Sequence, residues 1–77
     1  MQVELLWPVA SALKEMEKGS TPESIYYNYL QHCRNIVQNR VDPAEEQLLP
    51  ELNCAIIDRW GTKVLVNMKK RAWQQLE

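Results

Sequence analysis

Proline and glycine divide this chain before any other residue type does. Pro8, Pro22, Pro43 and Pro50, with Gly19 and Gly61, are the only residues of either type in 77 positions. Proline suits the first turn of a helix, where its missing N–H would have had no partner. Glycine suits the position just past the last turn, where the backbone swings left-handed. Their order therefore predicts a string of helices with short joints and leaves no room for a sheet.

Apolar spacing supports that division. Trp7 is biased extended because Pro8 follows it. Val9, Leu13 and Met16, with Ala12 beside them, share one face of a helix expected over 8–18. Ser20 or Thr21 caps a second helix over 22–39, with Glu23 at its positive end. There Ile25, Tyr26, Tyr29, Leu30, Cys33, Ile36 and Val37 form one continuous arc. Ser24, Tyr27, Asn28, Gln31, Arg34, Asn35 and Gln38 form the opposite, polar arc.

The next stretch is more ambiguous. Asp42, Pro43 and Glu45 make a capping-box start for a short helix over 43–48. Pro50 then predicts a break, since proline inside a helix costs about 3 kcal/mol. A further helix over 50–60 would bury Leu49, Leu52, Ile56 and Trp60 before Gly61 ends it. Thr62 is expected to cap a last helix over 63–75. No segment alternates as a half-buried strand does. The expected fold is an all-α, compact bundle of four to five short helices in a single domain, 1–75. Leu76 and Glu77 read as a cloning-site remnant.

Size limits what such a bundle can do alone. A chain this short buries only about 60% of the surface its unfolded form exposes, and a partner chain is one common remedy. The opening segment "MQVELLWPVASAL" carries Glu4 and no cationic start, so it is not read as a signal peptide. No apolar run reaches the ~20 residues of a membrane span. Cys33 and Cys54 stand twenty-one positions apart without a C-x-x-C spacing. They are expected to be reduced, buried thiols in a cytoplasmic protein, a disulfide being the alternative.

Charge is segregated along the chain although the net is only −1. Asp42, Glu45, Glu46, Glu51 and Asp58 meet no Lys or Arg between 41 and 58. Arg59, Lys63, Lys69, Lys70 and Arg71 then meet no acid up to 75. Such blocks can pair within one chain, pair across a dimer, or face a partner. Val64, Leu65, Val66, Met68, Ala72 and Trp73 span about half the circumference of the last helix, wider than the roughly 100° stripe of a surface helix. A symmetric homodimer would cover that excess.

Two further readings stand beside self-association. Lys63, Asn67, Lys70 and Gln74 recur on one face and are types that reach base edges, while Lys69 and Arg71 could hold phosphates. Residues 50–75 would then act as a helix-turn-helix-like DNA-binding unit, although Gly61 is displaced from its place in that motif. A protein adaptor would instead dock through Tyr27 and its neighbours Gln31 and Arg34, Tyr and Arg being enriched at interface cores. Trp7, ahead of the first helix, is a candidate anchor. The expected protein-contact residues are therefore Trp7, Tyr27, Gln31, Arg34, Val66 and Trp73.

Catalytic constellations are not found. His32 points about 100° away from Cys33 on the same helix, so the two make no dyad, and His32 is expected to hydrogen-bond a neighbour at the edge of the core. Neither Glu15 and Glu17 nor Glu45 and Glu46 share a helix face. One histidine and two scattered cysteines do not make a zinc site. No enzymatic activity, cofactor or metal is expected. The primary expectation is a small regulatory or accessory module that works by protein–protein contact.

Overall fold

The computed structural model describes residues 7–76. Among them run four helices and no strand: α1 (Pro8–Glu17), α2 (Pro22–Val37), α3 (Pro43–Trp60) and α4 (Thr62–Gln75). The sequence-based expectations for Met1–Leu6 and Glu77 lie outside the described residues. The fold is the all-α bundle expected.

Of the three helices that open on proline, all but one have a side-chain cap. Thr21 accepts the Ser24 N–H on its hydroxyl oxygen at 3.5 Å, and Asp42 accepts the Ala44 N–H on its carboxylate at 2.8 Å. Both helices carry proline in the first turn. α1 is the exception: Trp7 occupies the cap position and its side chain offers no hydrogen bond. Helix N-termini leave N–H groups that need an acceptor. For α1 that acceptor comes from elsewhere in the chain.

The break expected at Pro50 does not occur. Pro43–Trp60 is one helix of 18 residues with Pro50 inside it. Pro50 and Glu46, whose carbonyl loses the N–H that proline lacks, are both exposed, so the gap in the ladder lies on the wet side. Opposite them Leu52 and Ile56 are fully buried, with Leu48 and Leu49 packed beside them. Burial of that face outweighs a local cost of about 3 kcal/mol.

The joint after α3 is also tighter than expected. Gly61 alone separates α3 from α4, and it sits at φ 100°, ψ 161°. That region belongs almost solely to glycine. Thr62 is the first helical residue and caps nothing. A helix-turn-helix motif uses a turn of about three to four residues, which is not what joins these two helices.

α1 packs against α2 and α3, and α4 packs against the same two, closing a ring of four helices. α2 and α3 meet across the middle through long side chains. Tyr29 donates its hydroxyl to Asn53 Oδ1 at 3.5 Å, and His32 approaches Glu45. The core inside the ring includes Val9, Ala12, Ile25, Tyr29, Cys33, Leu52, Ile56, Met68 and Ala72. The radius of gyration, 11.7 Å, matches the value of about 11.5 Å for a folded chain of this length.

Three expectations about the core need correction. Ile36 and Val37 are 38% and 60% exposed although they belong to the apolar arc of α2. They are the last two residues of α2, where a helix has one fewer turn of its own to pack beside them. Asn28, on the polar arc, is buried beside Ser11 and Glu15 of α1. Cys54 is exposed, whereas Cys33 is buried and both are free thiols. Leu76 packs partly buried against the core.

Candidate functional site

The most unusual chemistry of the molecule is internal. Glu45 and His32 are each 1% exposed. Glu45 Oε1 accepts the Val9 N–H at 3.1 Å and Oε2 accepts the Ala10 N–H at 3.3 Å. A carboxylate from α3 thus supplies the acceptors that Trp7 cannot, and its charge meets the positive end of the α1 dipole. Fourteen residues later on α3, Arg59 Nη1 donates to the Met16 carbonyl at 3.3 Å. One helix therefore closes both ends of another, acid at the N-terminus and base at the C-terminus. α1 and α3 run in the same sense as a result.

His32 completes that cluster. Its Nδ1 lies 3.9 Å from Glu45 Oε1, too far for a hydrogen bond, and neither ring nitrogen has a hydrogen-bond partner among the described residues. The expected hydrogen-bonded histidine at the core edge is instead a buried ring without one. Burial lowers its pKa below 6.5, a shift that Glu45 and Glu46 partly oppose. Solvent does not reach either side chain, so the pair acts on the fold. Cys33 is closed off in the same way: burial pushes its thiol up to about 11, with Lys69 opposing weakly. A thiol held there is not a nucleophile near neutral pH. Tyr29 is raised to about 12 by burial and by Cys33.

The surface candidates are elsewhere. α4 buries Leu65, Met68 and Ala72 and leaves Val66 and Trp73 at 46% and 40% exposure. Val66 and Trp73 stand seven residues apart on one side of the helix. Trp7 and Tyr27 are exposed at 41% and 57%, Arg34 is exposed and Gln31 half-buried. These six contact candidates are distributed over three helices. Trp7 heads α1, Tyr27, Gln31 and Arg34 follow α2, and Val66 and Trp73 follow α4.

The six nucleic-acid candidates, Lys63, Asn67, Lys69, Lys70, Arg71 and Gln74, are all exposed on α4. Arg71 is partly committed, its guanidinium 4.2 Å from the centroid of the Tyr26 ring. Arg71 and Asn67 also line a cleft of about 190 Å³ between α2 and α4 in which Glu23 takes part. An acid there disfavours a phosphate. Although α3 and α4 pack together, their charge blocks do not neutralise each other. Among the described residues the one contact within 4.0 Å between a basic side chain and a carboxylate is His32 with Glu45. Among the described residues the two blocks make no ion pair with each other.

Some chemistry is visible without an assignment. An open groove of about 420 Å³ between α1 and α3 has Leu13, Met16 and Ala55 along it with Glu17, Asp58 and Arg59. Among the described residues no three His, Cys, Asp or Glu side chains gather as metal ligands, and no helix is long and apolar enough to cross a membrane.

Sequence reasoning missed Glu45, and the missing signal was present. Glu45, Leu49, Leu52 and Ile56 fall at i, i+4, i+7 and i+11, so an acid heads the buried stripe of α3. Read as part of a capping box it looked local, but its side chain turns to α1 rather than to its own cap. No protein-family model matches the chain, and no curated protein and no solved structure proved similar to it.

Proposed function

We propose that this protein is a non-catalytic helical module that works by protein–protein contact and self-associates through the exposed ridge of α4. One observation carries the reading. Val66 and Trp73 remain 46% and 40% exposed on a helix whose other apolar side chains are committed to the core. Exposed tryptophan is a typical anchor of protein contacts. Basic side chains border it, and among the described residues no carboxylate lies within 4.0 Å of them. Sedimentation equilibrium at micromolar concentration tests the reading. The expected result is a dimer that Val66→Asp with Trp73→Asp converts to monomer while helicity is kept. A wild-type chain that stays a 9.1 kDa species throughout would refute it.

A second reading, a DNA-binding regulator, is favoured by the same cations, Lys63, Lys69 and Lys70, which have no carboxylate within 4.0 Å among the described residues. It is the weaker of the two. Specific DNA contact rests on about six or more phosphate contacts, and Arg71 already lies over Tyr26. Fluorescence anisotropy with mixed-sequence duplex at about 50 mM salt decides it, because electrostatic binding is strongest at low salt. No change in anisotropy there removes it.

A further inference from the structure

α4 shows solvent one ridge and α3 shows another. On α4, Val66 and Trp73 are bordered by Lys63 and Lys70 on one side and Lys69 on the other, all exposed. On α3, Pro50 and Ile57 are exposed, Cys54 lies between them, and Glu51 and Asp58 run alongside. The apolar members of each ridge are seven residues apart, which is about 10.5 Å of helix. Their charges are opposite. α4 contains no acid. The exposed face of α3 contains no cation before Arg59, whose guanidinium is engaged by the Met16 carbonyl.

We propose that two copies of this chain pair reciprocally, α4 of each lying along α3 of the other. Val66 and Trp73 then meet Pro50 and Ile57, with Lys63 and Lys70 against Glu51 and Asp58. The proposal rests on the self-association reading and adds the surface that receives the α4 ridge. Equal seven-residue spacing lets both apolar pairs come into register, as in paired helices generally. Two-fold symmetry requires each copy to offer both halves of the contact, and each copy carries both. Pairing α4 with α4 would instead set Lys63, Lys69 and Lys70 of both copies together with no acid between them, and like charges so placed are costly. It would also leave the α3 acids without partners.

Charge reversal distinguishes these arrangements. Sedimentation equilibrium of the full chain at low salt compares Lys63→Glu/Lys70→Glu with Glu51→Lys/Asp58→Lys, circular dichroism verifying that both remain helical. The positions are exposed; should a double variant fail to fold, Lys70→Glu and Glu51→Lys alone replace it. Each variant by itself is expected to self-associate at least about tenfold more weakly than wild type, because both of its reciprocal contacts become like-charged. An equimolar mixture of the two is expected to recover dimer, since each then offers what the other lacks. A wild-type dimer with unaffected variants, or a mixture that stays monomeric, overturns this pairing and leaves self-association standing. Preferential pairing of Lys63→Glu/Lys70→Glu with wild type rather than with Glu51→Lys/Asp58→Lys overturns it in favour of α4 against α4. A monomeric wild type overturns both.

Discussion

Glu45 shows how much one side chain can decide in a domain of this size. Its carboxylate accepts two N–H groups at the start of α1 while fully buried. Hydrogen bonds to a charged group contribute about 1.5–3 kcal/mol each, and unsatisfied buried donors are costly besides. Glu45→Ala is expected to destabilise the fold by about 2–4 kcal/mol in urea unfolding. Glu45→Gln keeps one acceptor and should cost less; equal losses would mean that capping is not its role. His32 adds a pH dependence with a definite sign. Burial lowers its pKa below 6.5, so the unfolded chain takes up a proton more readily than the folded one. The stability this histidine confers is complete above pH 6.5 and is lost as pH falls below it, by at most about 1.4 kcal/mol per pH unit. His32→Gln should flatten the unfolding midpoint between pH 6.5 and 5; an unchanged slope would assign the effect to the carboxylates.

At the scale of the helix, α3 sets local propensity against packing. The sequence placed a break at Pro50 because proline removes one N–H and crowds the preceding turn. The structure keeps 18 residues helical because Leu52 and Ile56 bury fully on the opposite side. Two shorter helices would also separate Glu45 from Arg59, which hold the two ends of α1. Pro50→Ala is therefore expected to leave the fold intact and stabilise it by about 1–3 kcal/mol, read as a higher urea midpoint. A lower midpoint would show that α3 depends on the proline. The same helix explains why the joint to α4 is short: Gly61 takes up a turn that other residues avoid.

The molecule as a whole has more apolar surface than its ring of four helices covers. Val37, Val66 and Trp73 remain at least 40% exposed, and among the described residues the charge blocks of α3 and α4 make no ion pair with each other. If association covers the α4 ridge, stability is linked to concentration, because the dimer binds only folded chains. The melting temperature should then rise between micromolar and hundred-micromolar protein, and added salt should reduce that rise. A melting temperature independent of concentration would speak against any dimer.

The sequence by itself determined the helices. Caps, first-turn prolines and apolar spacing act over three to seven residues, so α1, α2 and α4 begin and end close to where the residues indicate. Hydrophobic periodicity likewise named most of the core and drew attention to the apolar breadth of α4. Only the tertiary structure decided that α3 is continuous, that Glu45 leaves its own helix to cap α1, and that His32 is enclosed beside it. Each depends on which elements become neighbours, and burial energies set by residues tens of positions apart exceed the local preferences that a sequence displays.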